Sequence, residues 1–137
     1  MLKARDIMRR GVACVKRQTS AYEAADLVIK NDFTCLPVVE DDMTLVGIIG
    51  EKELLRLFYS EQDEENCVVE SFMTQPVACY EQDDTLKTVI DSMLINFFRT
   101  VPVTSKDVKV VGIITRPDVL AYILHAKRAG VTVHSLP

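Results

Sequence analysis

Leu45-Val46-Gly47-Ile48-Ile49 returns as Val110-Val111-Gly112-Ile113-Ile114, and this recurrence decides how the rest of the chain is read. Extended outward from it, residues 4–60 lie over residues 69–125 without a gap, at a constant offset of 65. Identical pairs include Met8/Met73, Ala13/Ala78, Cys14/Cys79, Pro37/Pro102, Val38/Val103 and Leu55/Leu120. Self-similarity at a fixed spacing marks one structural unit used twice. A single copy of about 60 residues would bury only a marginal share of its surface, so the two copies are expected to form one module of two subdomains. Packed about a pseudo-twofold axis, they would create two related clefts. That geometry favours ligand binding between copies over an active site inside one.

Each copy reads as strand, helix, strand, strand, helix, which sets the fold class as α+β with two βαββα repeats. In the first copy Val12–Val15 is a short apolar run. Ser20 and Glu23 have capping-box spacing for a helix start. Ala21, Ala24, Ala25, Val28 and Ile29 then recur at helical spacing as a buried stripe. Cys35-Leu36-Pro37-Val38-Val39 and Leu45–Ile49, separated by Glu40-Asp41-Asp42, suggest an antiparallel hairpin. Glu51–Tyr59 closes the copy as a helix carrying Leu54, Leu55, Leu57 and Phe58. The second copy repeats this order as Val77–Tyr80, Thr85–Asn96, Val101–Thr104, Val108–Thr115 and Arg116–His125, with Leu86, Val89, Ile90, Met93 and Leu94 on the inner face of its first helix. Pro37 and Pro102 stand early in strands, where a missing N–H is tolerated. The expected organisation is repeat 1 over 1–60, an acidic linker over 61–68, repeat 2 over 69–125 and a tail over 126–137.

Bulk properties remove several function classes. Hydrophobic residues at 48% and charged residues at 26% describe an ordinary globular protein. A net charge of −4 gives nucleic acid no general attraction. Arg9-Arg10, Lys16-Arg17 and Lys127-Arg128 read as solvated surface. No apolar run approaches the roughly 18 residues of a membrane span, and the start lacks the apolar stretch of a signal peptide. A cytoplasmic location without membrane insertion is the expectation. Cys14, Cys35, Cys67 and Cys79 never form C-x-x-C. The mates Cys14 and Cys79 read as small buried hydrophobes, and His125 and His134 lie far in sequence from any cysteine pair, so no metal site is expected.

Gly112-Ile113-Ile114-Thr115-Arg116-Pro117-Asp118 is the sharpest local signal, a strand running into a helix. Thr115 and Asp118 form a capping box, with Pro117 in the first turn. Capping alone explains both residue types. The same hydroxyl and carboxylate could instead hydrogen-bond a ribose diol, since one carboxylate accepts from both hydroxyls. The mate segment Gly47-Ile48-Ile49-Gly50-Glu51-Lys52-Glu53 places Gly against Thr and Glu against Asp. Capping survives in both copies, while the ribose pair does not, so the two clefts should be unequal. Arg99, whose mate is Thr34, reads either as a surface arginine or as a phosphate ligand with a fixed fork of donors. Arg116 and Lys52 read as solvated residues at helix starts.

The ordered set Asp6-Ile7-Met8, Leu36-Pro37-Val38-Val39 and Leu45-Val46-Gly47-Ile48-Ile49 resembles the cystathionine-β-synthase (CBS) domain. It occurs again as Ser71-Phe72-Met73, Val101-Pro102-Val103 and Val110-Val111-Gly112-Ile113-Ile114-Thr115 through Asp118. The whole resembles a tandem CBS pair. The resemblance implies a non-catalytic regulatory module that binds an adenosine-containing ligand (AMP, ADP, ATP or S-adenosylmethionine) between copies. It assigns the ribose to Thr115 and Asp118, the adenine to Ala13, Phe33, Thr34, Cys35 and Ile113, and the phosphates to Arg99 and Thr100. It implies no resident cofactor, a homodimer formed through the helices, and an enzyme or transporter regulated in trans. The alternative is a dimerisation module whose ligand sites have decayed. Catalysis fares worst, because no set of acid, base and nucleophile can be named.

Overall fold

The hairpins of the two copies form as their patterns predict. The structure, a computed structural model, describes residues 2–31, 34–60, 66–75, 77–96 and 98–130. The elements run α1 (Ala4–Ile7), α2 (Ala21–Asn31), β1 (Cys35–Val39), β2 (Leu45–Gly50), α3 (Glu51–Tyr59), β3 (Tyr80–Glu81), α4 (Leu86–Ile95), β4 (Thr100–Thr104), β5 (Val110–Thr115) and α5 (Arg116–Arg128). β1 and β2 are antiparallel, with Leu36 opposite Ile49 and Pro37 opposite Ile48. In the second copy the sheet order is β3-β4-β5, and β3 is parallel to β4. The Pro37 carbonyl accepts from Val15 N at 3.0 Å, and Val39 N donates to the Val15 carbonyl at 2.9 Å. Proline therefore sits where only a carbonyl is asked of it.

Two compact units emerge, in which the two sequence repeats have exchanged their opening segments. Of the described residues, those within 1–12, 78–106 and 111–130 make unit 1, while those within 13–77 and 107–110 make unit 2. Within unit 1, Ala4 N donates to the Asp84 carbonyl at 2.8 Å, Arg5 N to that of Gln82 at 3.0 Å, and Leu86 N to that of Leu2 at 3.0 Å. Unit 2 repeats the pattern at mate positions, with Val69 N to Thr19 O at 2.8 Å, Glu70 N to Arg17 O at 3.0 Å and Ala21 N to Cys67 O at 3.0 Å. Charged side chains reinforce both anchors. Arg5 pairs with Asp83 in unit 1, and Arg17 pairs with Glu40 and Glu70 in unit 2.

Each unit has its own core. In unit 1 Ala4, Met8, Tyr80, Val89, Met93, Val101, Val103, Ile114 and Val119 pack together. Unit 2 gathers Val15, Ala24, Val28, Leu36, Val38, Ile49, Leu54 and Val69. The glycine that recurs in the two apolar strands makes room for a methionine in each. A Cβ on Gly112 would lie 2.6 Å from Met8 Sδ and 2.7 Å from the Arg9 carbonyl, and one on Gly47 would lie 2.5 Å from Met73 Sδ.

Several expectations need correction. Val12–Val15 and Val77–Tyr80 are not full strands. The first is reduced to a single parallel bridge at Val15–Val38, the second to Tyr80–Glu81. The chain passes from unit 1 to unit 2 after Val12 and back after Val77, so these extended runs have no continuous neighbour to pair with. Cys79 is exposed and Cys14 half-buried, although both read as buried. Ile29 and its mate Leu94, read as core, are 76% and 78% exposed. Leu55 and Leu120 are exposed too. The stripe is narrower than the apolar spacing implied, because helical periodicity counts residue type and not the width of the surface the helix covers. α5 also runs on past His125, with Ala126 buried and Arg128 its last residue.

Candidate functional site

Thr115 ends β5 and caps α5. Its Oγ1 accepts from Asp118 N at 3.2 Å, and an Asp118 carboxylate oxygen accepts from Thr115 N at 3.3 Å. The capping box predicted from the sequence therefore forms, and it fixes the hydroxyl and carboxylate side by side at the start of the helix. Pro117 at the helix start costs nothing, since its missing N–H would be unpaired there.

Arg9 belongs to this corner, which the sequence did not reveal. Its Nε donates to both oxygens of Asp118, at 3.1 and 2.9 Å, and its Nη2 donates to Oδ1 at 2.8 Å. The backbone beneath is locked as well, with Arg9 N to Ile113 O at 2.8 Å and Ile113 N to Arg9 O at 3.0 Å. Arg9 is thus an ion-pair partner and not plain solvated surface, even though 55% of its side chain remains exposed. Partial burial pushes the Asp118 carboxyl upward, but the Arg9 and Thr115 donors outweigh it and hold the group below the usual carboxylate range. The guanidinium of Arg9 is raised in turn, by its bond to Asp118 and then by the attraction of that charge.

The mate corner in unit 2 has the same backbone and different chemistry. Thr74 occupies the position of Arg9, pairing with Ile48 through N–H to O bonds of 2.8 and 3.1 Å. Thr74 Oγ1 donates to Glu53 Oε1 at 2.7 Å, and Gly50 N donates to Glu53 Oε2 at 3.2 Å. Gly50 has no hydroxyl to offer. A Cβ there would lie 2.8 Å from the Thr34 carbonyl, so the close approach of β1 to this corner favours glycine.

The remaining predicted residues divide between the units. Unit 1 holds Thr115, Asp118, Ile113, Arg99 and Thr100. Ile113 is 2% exposed in β5, which suits an apolar floor. Arg99 is exposed, and its carbonyl accepts from Arg116 N at 3.1 Å, which sets the start of β4 beside the Thr115 corner. Among the described residues the Arg99 guanidinium makes no ion pair. Unit 2 holds Ala13, Thr34 and Cys35, all half-buried. Burial pushes the Cys35 thiol up to about 11, partly countered by its bond with Thr34, which favours the protonated form at neutral pH. Phe33 lies outside the described residues, as does His134.

Arg116 also departs from its reading as a solvated residue. Its guanidinium donates to the carbonyls of Phe98, Met93 and Asn96, at 2.5, 3.4 and 3.3 Å, and so closes the C-terminal end of α4. Lys52 is exposed, as expected. No helix among the described residues is long and apolar enough to cross a membrane.

Known proteins share this architecture. The uncharacterized protein MJ1225 of Methanocaldococcus jannaschii is 32% identical over 114 residues, spanning 83% of this chain but only 40% of that protein. CBSX2 of Arabidopsis thaliana, whose crystal structure holds AMP, superposes with a TM-score of 0.83 at 30% identity, covering 93% of this chain and 100% of that one. The CBS domain pair of protein MJ0100, solved with 5′-methylthioadenosine and S-adenosyl-L-methionine, gives a TM-score of 0.75 at 27% identity over 88% of this chain and 98% of that one. The family model described as the CBS domain matches residues 4–60 and again residues 69–125. With two matched copies and the strand-to-helix corner built in each, the chain belongs to the CBS-domain family as a tandem pair.

Proposed function

We propose that this chain is a non-catalytic regulatory module that binds an adenosine-containing ligand, with Thr115 and Asp118 holding the ribose. The observation that carries the reading is the Thr115–Asp118 pair itself. A hydroxyl and a carboxylate held together at a helix start can engage both hydroxyls of a ribose. Ala13, Phe33, Thr34, Cys35 and Ile113 are assigned to the adenine, and Arg99 and Thr100 to the phosphates. Support comes from relatives of the same fold that hold AMP or S-adenosylmethionine. AMP, ADP, ATP and S-adenosylmethionine are the candidate ligands. Regulation follows if the ligand favours one arrangement of the module over another, acting on an enzyme or transporter in trans.

Calorimetric titration and thermal shift with these four ligands test the reading. A ligand that binds only the folded form raises Tm. A rise with at least one of them at millimolar concentration is expected. No shift and no heat with any of them would favour the second reading, a dimerisation module without a ligand. That second reading has an observation of its own. Ile29/Leu94, Leu55/Leu120 and Tyr59/Leu124 expose large apolar side chains at mate positions on α2–α5. Matched apolar faces on both copies suit an isologous contact with a second chain. A homodimer is therefore proposed under either reading, and a strictly monomeric mass in light scattering would overturn it.

A further inference from the structure

The ribose assignment leaves the Arg9–Asp118 pair unexplained. A carboxylate offers about four lone-pair sites. In unit 1 Arg9 makes three contacts with them and Thr115 N makes a fourth, so both oxygens are engaged. A cis-diol needs acceptor sites on the same oxygens. The mate corner shows that the fold does not require this arrangement. Thr74 forms the equivalent backbone bridge to Ile48 while taking a single oxygen of Glu53.

We infer that Arg9 is an internal competitor of the ribose, closing the Asp118 carboxylate in the ligand-free protein and setting the ligand concentration at which it opens. The inference rests on the reading of Asp118 as the ribose carboxylate. The geometry suits a releasable lock. Two backbone hydrogen bonds to Ile113 hold Arg9 in place, while its half-exposed side chain can swing into water without disturbing them. Release then costs a partly exposed ion pair, and nothing needs to unfold. Such pairs are worth up to about 1 kcal/mol, which corresponds to about fivefold in affinity.

Adenosine is the right probe, because it carries the diol and no charge for Arg9 to attract. Titrated by calorimetry into the full chain, it is expected to bind Arg9→Gln about fivefold more tightly than the unsubstituted protein. Arg9→Lys, which keeps the charge but loses the two-pronged fork, should give a smaller gain. Unchanged or weaker binding to Arg9→Gln would overturn the competitor role. If Arg9→Gln lowers Tm enough to obscure binding, salt supplies a second measurement on the unsubstituted chain. Raising the salt from 0.05 to 0.5 M weakens the ion pair and should tighten adenosine binding about twofold. A flat or opposite salt response overturns the role as well. The two readings fail differently. Adenosine and AMP binding to neither protein removes the ribose assignment and the competitor with it, whereas equal adenosine binding to both proteins removes the competitor alone.

Discussion

The Asp118 corner and the Glu53 corner share a backbone and differ in nearly every functional side chain. Both place an acidic residue three positions into a helix, a backbone bridge beside it, and a glycine beneath a methionine. One corner adds a hydroxyl and a guanidinium paired with the carboxylate; the other replaces them with a bare glycine and a threonine. The shared parts hold the strand, helix and opening segment together in either unit. The unshared parts give each corner a different set of donors and acceptors. A repeat therefore preserves its framework and diversifies at positions the framework does not use.

Removing each acid in turn is the strongest way to break this comparison. Asp118→Ala is expected to weaken adenine-nucleotide binding by roughly 10- to 150-fold, the worth of a hydrogen bond to a charged group. Glu53→Ala should change it by less than about twofold, since no contact with the ligand is assigned to Glu53. Calorimetry on both variants checks this, and equal losses would make the two corners equivalent.

The glycines sharpen the structural half of the comparison. Gly112→Ala should destabilise the fold by about 2–3 kcal/mol, and Gly47→Ala by about 1 kcal/mol, in denaturant melts. The new Cβ at 112 meets a backbone carbonyl as well as Met8, whereas at 47 its three nearest atoms all belong to the flexible Met73 side chain. Equal losses would mean that the methionines, and not the Arg9 backbone, set the tolerance.

Smaller effects are expected at the caps. Thr115→Ala should cost about 1 kcal/mol of stability through the lost helix cap. Gly50→Thr should not gain that amount, because its Cβ would press on the Thr34 carbonyl 2.8 Å away and on Cys35 at 3.2 Å. Acid titration should move stability less still. A carboxyl held below its usual range contributes stability that is full above the ordinary carboxylate pKa and is lost as pH falls through the lowered value. Asp118→Asn should thus flatten only the acid limb of the stability profile, below about pH 4. Last, Cys79 should react with a thiol reagent several-fold faster than its mate Cys14. Cys79 is exposed, whereas burial raises the Cys14 thiol against the opposing pull of Lys16.

Much of this was readable beforehand, for identifiable reasons. The hairpins, the helices and the Thr115 box are local, and each leaves a signature within a few residues of itself. Arg9 leaves no local signature, because its partner lies 109 residues away. One signal was available. Arg9/Thr74 and Asp118/Glu53 are both mismatched mate pairs, and positions that touch in each unit have departed from the repeat together. Ile29 and Leu94 failed differently, since matching exposure at mate positions leaves no mark on an apolar pattern.

By itself the sequence determined the doubled unit, its hairpins and longer helices and the corner at Thr115 and Asp118, because short-range hydrogen bonding and periodic burial act along the chain. Only the tertiary structure decided that residues 1–12 join the unit built from the second repeat and that residues 66–75 join that of the first. That exchange brings Arg9 onto Asp118, Thr74 onto Glu53, Met8 onto Gly112 and Met73 onto Gly47. The physical reason is reach. Such contacts form between segments that no local propensity relates, so they exist only once both surfaces have folded and come together.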